Sequence, residues 1–359
     1  MPGGNGLNFG EFMASLRRGS LKHVYLLSGE ETYYIRKAKE RILEMLFPDG
    51  ADMQDALQYV EGNLGEDEIL GLIETVPFFS DKNVILWQNS SLFREKKDSA
   101  ETADKPGASS ARKTERLARR LMDMPEDSYI IFVASEKADK RRKLYKTIEK
   151  YGAVLDAAPV RPWTINGWLQ SKLQSMNKTL DRDAEEYFLG MAGMMQQISL
   201  EYMDKEFDKL ALFTKERRIT KAALANVFAG IPEVSVFALL DAISAKNARR
   251  ALILLRRQMG EGAYMPLVLA LLARHVRQLW QAKDLLAKGY RGKALAKPLE
   301  LSPVIAERLG RAAARFSAQV LKQGMLELSD ADYLLKTGQA GGELLEHAVV
   351  LLCSEEPSI

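Results

Sequence analysis

The chain has 359 residues, of which 47% are hydrophobic and 28% are charged, and its formal net charge is +3. This length predicts two or three domains, the composition is that of an ordinary globular protein, and the small net charge excludes a polybasic tail protein. A single cysteine, Cys353, excludes a disulfide framework and a cysteine-based zinc site, and the three histidines lie far apart in sequence, so no metal or cofactor is predicted.

Membrane attachment is not predicted either. The longest stretch without Asp, Glu, Lys or Arg runs from Tyr187 to Leu200 and has 14 residues, whereas a membrane-spanning helix needs about 20. The N-terminal segment, Met1-Pro-Gly-Gly-Asn, lacks the charged and apolar regions of a signal peptide. We therefore expect a cytoplasmic protein with no membrane partner.

Charge is distributed unevenly along the chain. Residues 1–80 hold 7 Lys and Arg against 13 Asp and Glu, and residues 323–359 hold 1 against 7. Residues 246–322 hold 16 against 4, a net charge of +12. This basic block is either a surface for an anionic partner or a set of solvated helix faces, and charge alone does not decide between them.

The first part of the chain alternates between two kinds of pattern. Short apolar runs predict strands at His23–Ser28, Asp55–Val60, Asn83–Trp87, Tyr129–Ala134 and Ala153–Asp156. Helical spacing of apolar residues predicts helices at Tyr33–Phe47, Glu66–Glu74 and Lys140–Tyr151. Apolar strands that alternate with helices indicate an α/β fold with a mainly parallel sheet covered on both faces.

One segment of this part lacks a core-forming pattern. Arg94–Arg116 contains no Leu, Ile, Val, Met, Phe, Tyr or Trp, and its centre reads Lys105-Pro-Gly-Ala-Ser-Ser. This composition predicts an exposed loop. Its charges nearly balance, so an exposed insertion is favoured over a nucleic-acid contact.

After Trp163 the strand-like runs end and helical periodicity takes over. Leu200, Met203, Phe207 and Leu210 form one apolar stripe, and Glu206, Asp208 and Lys209 are predicted to lie off it. Ile231-Pro232 interrupts the pattern, and glycines and prolines punctuate the remaining helices. We predict three domains: an α/β domain at 1–160, a small helical domain at 161–232 and a helical domain at 233–359.

The turn after the first predicted strand is the place where an α/β fold would hold a nucleotide phosphate. A P-loop there requires G-x-x-x-x-G-K-[ST], whose backbone N–H groups, lysine and hydroxyl hold the phosphates and Mg²⁺. The chain has Ser28-Gly29-Glu30-Glu31-Thr32 instead, and the motif occurs nowhere else. Independent ATP hydrolysis is therefore not predicted, and the two glutamates are interpreted as acids at a helix N-terminus.

The segment Glu74-Thr-Val-Pro-Phe-Phe-Ser-Asp-Lys-Asn precedes the third predicted strand. Two consecutive residues do not share one face of a helix or strand, so Phe78 and Phe79 do not both fit a single core stripe. At least one ring could project outward as a binding anchor. The pattern alone favours the other interpretation, in which both rings cap the edge of the sheet core.

Two groups of basic residues are further candidates. Lys140 and Arg141 belong to a basic segment after the fourth strand, and they could contact phosphate or an acidic subunit surface, or solvate the start of a helix. Arg274, Arg277 and Trp280 share helical spacing, and a tryptophan beside arginines can stack on bases. Simple packing is the favoured reading of this second group.

Six segments in order make the chain similar to the delta-subunit family of the bacterial DNA polymerase III clamp loader. The segments are Val24-Tyr-Leu-Leu-Ser-Gly-Glu-Glu with Ile35-Arg36, Pro77-Phe-Phe-Ser-Asp-Lys-Asn-Val, Phe132-Val-Ala-Ser-Glu-Lys-Ala-Asp-Lys-Arg, Glu206-Phe-Asp-Lys-Leu, Val236-Phe-Ala-Leu-Leu-Asp-Ala-Ile and Ala331-Asp-Tyr-Leu-Leu-Lys-Thr-Gly. Each is degenerate by itself, and their order along nearly the whole chain is what makes the resemblance specific.

The resemblance implies a fold and a role for each of the three domains. Residues 1–160 would be a degenerate RecA/AAA+-like α/β domain that binds the clamp, 161–232 a small helical lid-like domain, and 233–359 an all-helical collar that mediates oligomerisation. The chain by itself would not be an enzyme. It would belong to a complex with DNA-directed DNA polymerase activity, a nucleotidyltransferase.

The resemblance also implies partners and a site. The chain would bind the beta sliding clamp, the gamma/tau ATPase subunits, delta prime and, within the complex, primed DNA. The clamp-binding element of the family falls on Phe78 and Phe79 after Pro77, where the more familiar pair is Leu-Phe. The pattern alone favours rings that cap the sheet core, whereas the resemblance favours rings that project outward. In that position they would bind the clamp and help to open it or hold it open.

Two other functions stay open on the residues alone. An ATPase or another nucleotide-utilising enzyme with an atypical phosphate site would bind ATP, and Glu30 and Glu31 argue against it. A catalytic pair of carboxylates brought together by folding also stays open. A free-standing DNA-binding protein that uses the basic block would bind duplex DNA alone, with a steep dependence on salt.

Overall fold

The computed structural model describes residues 6–19, 21–50, 53–75, 80–94, 108–195, 198–230, 232–339 and 342–354, with only the backbone at 108–114, 230 and 232–235. The chain forms two compact units, Met1–Pro159 and Val160–Ile359. The further boundary predicted at residue 232 stays a prediction. Within the described ranges, no helix is both long enough and apolar enough to cross a membrane. The cytoplasmic location likewise stays a prediction.

The first unit is built on a five-stranded sheet. Its strands are β1 (Val24–Gly29), β2 (Leu57–Glu61), β3 (Asn83–Gln88), β4 (Ser128–Ala134) and β5 (Ala153–Ala157). Its helices are α1 (Phe9–Arg17), α2 (Thr32–Leu46), α3 (Met53–Ala56), α4 (Glu66–Glu74), α5 (Ala108–Met122) and α6 (Lys143–Tyr151), and a 3₁₀ turn covers Ser91–Phe93. All strand pairs are parallel, and the spatial order is β2-β3-β4-β1-β5.

Alternate residues of the strands supply two separate cores. Val24 and Leu26 of β1 pack on one face with side chains of α4, α5 and α6, whereas Tyr25 and Leu27 pack on the other face with α1 and α2. Because β1, β3, β4 and β5 are largely buried on both faces, they read as apolar runs in the sequence. The edge strand β2 differs, since Leu57 is buried whereas Tyr59 is 69% exposed. The predicted α/β fold with a parallel sheet covered by helices is confirmed.

Three predicted boundaries of this unit are wrong. The helix α5 begins at Ala108, so residues 108–116 of the predicted loop Arg94–Arg116 are helical. Residues 95–107 of that loop lie outside the described residues. Its Ala, Arg, Lys and Glu residues favour helix although none of them is a large apolar residue. Leu117 and Leu121 then bury the end of this helix in the core. In addition, Asp55 lies in α3 rather than in a strand, and α6 begins at Lys143 rather than Lys140.

The second unit is mainly helical. Its helices are α7 (Ile165–Ser175), α8 (Arg182–Met194), α9 (Leu200–Phe213), α10 (Lys221–Val227), α11 (Pro232–Ser244), α12 (Ala248–Gly260), α13 (Met265–Ala287), α14 (Ala296–Leu299), α15 (Pro303–Ala313), α16 (Ala318–Lys336) and α17 (Glu343–Cys353). Short 3₁₀ turns cover Phe228–Gly230 and Gly292–Leu295. The two-residue strands β6 (Thr179–Leu180) and β7 (Arg218–Ile219) pair in parallel. They lie in the segment predicted as a small helical domain, 161–232, and a two-residue pairing is too short to leave a pattern in the sequence.

The predicted apolar stripe of α9 is buried, as expected, but one of its neighbours is buried too. Glu206 is only 2% exposed, and its carboxylate accepts a hydrogen bond of 2.6 Å from Lys209 Nζ. The prediction that Glu206 lies off the buried face is therefore wrong. A buried carboxylate is tolerated where a charge-assisted hydrogen bond compensates its lost hydration.

Three helices of this unit end in the same way. Gly262, Gly289 and Gly338 follow α12, α13 and α16 with φ values of +74°, +91° and +69°. After α12, the N–H of Ala263 donates to the carbonyl of Gln258 at 3.0 Å, which closes a Schellman motif. Because only glycine adopts this left-handed conformation without strain, these residues mark the helix ends in the sequence itself.

Candidate functional site

The predicted clamp-binding element, Pro77, Phe78 and Phe79, lies outside the described residues, so its conformation stays a prediction. The residues on either side of it are well anchored. Asn83, at the start of β3, is 1% exposed, and its amide donates to the carbonyl of Leu72 in α4 at 2.7 Å. The amide of Gln58 donates to the Asn83 side chain at 2.9 Å. The segment therefore joins two fixed points, the end of α4 and the amino end of β3.

The carboxyl ends of the strands form the opposite edge of this parallel sheet. The chain leaves β1 toward β2 on one side and leaves β4 toward β5 on the other side. The strand order thus reverses between β1 and β4, and such a reversal is where doubly wound sheets bind ligands. The turn from β1 to α2 lies at this point.

Two features fix the conformation of this turn: the close approach of Gly29 to Ala157, and a hydrogen bond to the Glu31 carboxylate. Gly29 has a φ of +137°, and a Cβ at this position would lie 2.2 Å from the carbonyl oxygen of Ala157. The N–H of Glu31 donates to the same oxygen at 3.0 Å. The Glu31 side chain then accepts a hydrogen bond of 3.2 Å from the N–H of Tyr33 and caps α2.

This cap explains the acidic residues in the turn. The first turn of a helix has unpaired N–H groups and a positive dipole end, which is where a P-loop holds phosphate. Here the Glu31 carboxylate occupies part of that donor set. The interpretation of this glutamate as an acid at a helix N-terminus is confirmed.

The structure places the two basic residues after β4 in short-range ion pairs. Lys140 Nζ lies 2.8 Å from Asp156 Oδ2, and this hydrogen bond raises the pKa of Lys140. Arg141 Nε lies 2.9 Å from Asp139 Oδ1, and the hydrogen bonds from Arg141 lower the pKa of Asp139. Both cations therefore have carboxylate partners within their own unit, and their contact with phosphate or another subunit stays a prediction.

The other basic group lies along α13 and has mixed exposure. Arg274 is partly buried, and its Nη1 donates to the carbonyl of Met194 at 3.1 Å. Burial, and then the charge of Arg277, lower the pKa of Arg274. Arg277 is exposed, and Trp280 is 36% exposed. Arg274 thus has a packing role, whereas the other two side chains lie on the surface. The two basic groups belong to different compact units.

The sequence reasoning missed a polar cluster inside the helical unit. His275 follows Arg274 on α13 and is 4% exposed, and its Nε2 lies 2.8 Å from Ser244 Oγ on α11. Next to it, Arg308 of α15 forms an ion pair with Asp241 of α11. These residues line one cavity. The only signal in the sequence was a histidine within the apolar pattern of a long helix, and that signal does not reveal which residues face it.

Comparison with known proteins identifies the family. The family model described as "DNA polymerase III, delta subunit" matches residues 25–158, and that described as "DNA polymerase III delta subunit, C-terminal domain" matches residues 233–352. A curated relative, DNA polymerase III subunit delta of Bacillus subtilis, is 22% identical over 334 residues, which cover 92% of each protein. The resemblance inferred from the six sequence segments is confirmed.

A solved structure shares the fold. The Bacillus subtilis DNA clamp loader delta protein aligns with a TM-score of 0.61 and 22% identity, over 96% of this chain and 99% of that chain. A RuvB structure from Thermotoga maritima aligns with a TM-score of only 0.31 at 11% identity, over 65% and 72% of the two chains, and supports no conclusion. From the family models and the full-length relative together, the chain belongs to the DNA polymerase III delta subunit family.

Proposed function

We propose that this chain binds the sliding clamp through Phe78 and Phe79 and helps to open the ring, or to hold it open, for loading on primed DNA. The observation that carries the proposal is membership of the delta-subunit family, together with an apolar Pro-Phe-Phe element between two anchored points of the fold. Aromatic side chains are frequent anchors at protein interfaces, because each buries a large apolar area with little loss of conformational entropy.

The proposed opening step needs no chemistry in this chain. A ligand shifts an equilibrium between closed and open states only by its difference in affinity for them. Truncation of an interface anchor typically costs about 2 kcal/mol or more. A pair of aromatic anchors that fits the open clamp better than the closed clamp therefore has enough binding energy to shift the ring. In the proposed complex, the gamma/tau ATPase subunits hydrolyse ATP, and delta prime completes the assembly.

The β1–α2 turn supports the non-hydrolysing role. The turn contains Gly29 but lacks the second glycine and the lysine of a P-loop, and the Glu31 carboxylate caps the helix that would otherwise face a phosphate. A phosphate placed there would meet the like charge of the Glu31 carboxylate, which already occupies part of the N–H donor set. This local arrangement favours a subunit that assists a polymerase complex over a separate ATPase.

The exposed side chains on α13 are proposed to contact primed DNA or a neighbouring subunit in the complex. Arg277 and Trp280 lie three residues apart on one helix, and both reach the surface. Arginine with an aromatic ring suits a phosphate backbone with a stacked base, and it equally suits an acidic subunit surface. Arg277→Gln/Trp280→Ala should weaken assembly with the ATPase subunits if the partner is protein. It should instead weaken only primed-DNA binding by the assembled loader if the partner is DNA.

The central test is binding of the purified chain to its cognate clamp by surface plasmon resonance. Phe78→Ala/Phe79→Ala should weaken binding by about a hundredfold or more, because two anchors of about 2 kcal/mol are removed. The matched control is Leu212→Ala/Phe213→Ala, which removes an adjacent apolar pair of the second unit whose residues are 87% and 56% exposed. That control should bind the clamp as the wild type does.

Circular dichroism and thermal melting show whether each variant is folded. If the wild-type chain binds no clamp, or if the control loses as much affinity as the Phe78/Phe79 variant, the proposal is wrong. A calorimetric titration with ATP addresses the competing function, because saturable ATP binding by the isolated chain would favour the ATPase instead.

A further inference from the structure

The helical unit contains a cavity of about 210 Å³, and the function proposed above assigns it no role. Its walls come from α8 on one side and from α11, α13 and α15 on the other side. For comparison, an engineered cavity of about 150 Å³ accommodates benzene. The cavity is therefore large enough for a small organic ligand.

One end of the cavity is apolar, and two glycines of α8 line it. Gly190 and Gly193 of α8 face Phe237, Leu301 and Ile305. A Cβ on Gly190 would lie 2.5 Å from Phe237 Cζ, so no side chain fits there without rearrangement. A Cβ on Gly193 would lie 3.5 Å from Leu301 Cδ2, which is an ordinary contact. Gly193 therefore lines the cavity at a position where a side chain can be introduced without a backbone clash.

The other end carries an excess of positive charge. Three arginines of α15 and the residues just after it line this end: Arg308, Arg311 and Arg315. Asp241 is the only carboxylate in the described lining. Asp241 already pairs with Arg308. Arg311 forms an exposed i,i+4 pair with Glu307, which contributes little to stability.

The cavity wall also contains a buried histidine with an unpaired ring nitrogen, which is an observation separate from the charges. The His275 ring is buried, and its Nδ1 is buried with no hydrogen-bond partner among the described residues. Burial, and then the charge of Arg308, lower the pKa of His275 to about 4, so the ring is neutral near pH 7. Buried polar atoms without a partner are uncommon in folded proteins. A neutral imidazole can donate or accept a hydrogen bond according to its tautomer.

We propose that this cavity binds a small amphipathic anion, with an apolar body between α8 and α15 and a phosphate or carboxylate group beside Arg311 and Arg315. The arginines exclude a cation, and the apolar end distinguishes the site from a simple surface patch for inorganic phosphate. Because the walls come from helices on both sides, a bound ligand holds α8 against α11, α13 and α15. Binding then raises the thermal stability of this unit by mass action.

The test uses phenyl phosphate as the probe in isothermal titration calorimetry on the full chain. Benzoate compares carboxylate with phosphate, inorganic phosphate lacks the apolar body, and benzyl alcohol lacks the charge. We expect saturable binding of phenyl phosphate or benzoate with a Kd at or below about 1 mM. Inorganic phosphate and benzyl alcohol should each bind about tenfold more weakly or worse, because each provides only half of the recognition.

Two variants address the two ends of the cavity. Arg311→Gln/Arg315→Gln should weaken binding of the anionic probes about tenfold or more and leave benzyl alcohol unaffected. Gly193→Leu should block all organic probes by filling the apolar end, and Gly193→Ala replaces it if the larger side chain prevents folding. The charge-matched control Arg249→Gln/Arg250→Gln changes two exposed arginines of α12 outside the cavity, and it should bind like the wild type.

Several results would overturn the proposal. These are no saturable binding of either organic anion, equal binding by the Arg311/Arg315 variant and its control, and binding of inorganic phosphate as tight as that of phenyl phosphate. Binding of a single-stranded oligonucleotide that depends on the two arginines, without binding of the small probes, would assign the site to a nucleic-acid backbone instead. Clamp binding is unaffected by any of these outcomes, so this proposal fails or stands separately from the proposed function.

Discussion

The buried histidine of the helical unit predicts a pH dependence of stability. His275 is 4% exposed, and burial, with a smaller contribution from Arg308, lowers its pKa from 6.5 to about 4. In the unfolded chain the same ring has a pKa near 6.5. The unfolded state therefore binds a proton more readily than the folded state, so acid favours unfolding.

The magnitude follows from the difference between the two pKa values. The contribution of His275 to stability is fully present above pH 6.5 and is lost as the pH falls from 6.5 toward 4. Each pKa unit corresponds to about 1.4 kcal/mol. The free energy of unfolding therefore falls by about 2 kcal/mol at pH 5, and the loss approaches about 3 kcal/mol below about pH 4. His275→Gln removes the titrating ring, so this part of the loss should disappear in the variant.

The assay is urea unfolding at pH 7.5 and pH 5.0, followed by tryptophan fluorescence. Trp163, Trp168 and Trp280 lie in the helical unit, whereas Trp87 lies in the α/β unit. Trp87→Phe in every protein compared makes the signal specific to the helical unit. The matched control is His347→Gln, which changes an exposed histidine of α17 and should retain the full wild-type loss.

Equal losses of stability in the wild type and in His275→Gln would refute this reasoning. Should the variant fail to fold, the pKa of His275 can be measured directly by NMR titration of the wild-type imidazole. A value near 6.5 would refute the reasoning as well, since it would mean that burial does not disfavour the charged ring.

Two further predictions concern stability. Gly29→Ala should destabilise the α/β unit by about 3 kcal/mol or more, because the new Cβ would lie 2.2 Å from the Ala157 carbonyl oxygen. The control Gly71→Ala, with no atom within 4 Å of the new Cβ on α4, should instead add about 0.5–1 kcal/mol, and equal effects in denaturant unfolding would contradict the steric argument. Lys172→Met removes the ammonium that lies 2.5 Å from the buried Asp204 carboxylate and should cost about 3 kcal/mol. Most of that loss should return in Lys172→Met/Asp204→Leu, and a double variant as unstable as the single one would show that the ion pair is not the cause.

Much of the fold was predictable because the signals were local. Four strands of the α/β unit, β1, β3, β4 and β5, read as short apolar runs, since both of their faces are largely buried. The start of α5 was not predictable in this way. Residues 108–116 contain no large apolar side chain, and the helix depends on Leu117 and Leu121 further along for its contact with the core.

The candidate site was predictable only in part. The Phe78-Phe79 element was found through its resemblance to a family, and pattern alone favoured a packing role for both rings. Arg274 and Arg277 share a helical spacing, but only the fold shows that Arg274 bonds to Met194 whereas Arg277 reaches the surface. Spacing gives the relative angle of two side chains on a helix, and the neighbouring helices decide which angle is buried.

The sequence by itself determined the local features of this protein: the strand segments, the helix ends at Gly262, Gly289 and Gly338, and the lack of a P-loop. Each of these depends on the properties of a few consecutive residues. Only the tertiary structure decided the strand order, the close approach of Gly29 to Ala157, the burial of Glu206, and the cavity beside His275. These features join segments up to 128 residues apart, as Gly29 and Ala157 are, and no local pattern specifies which segments meet.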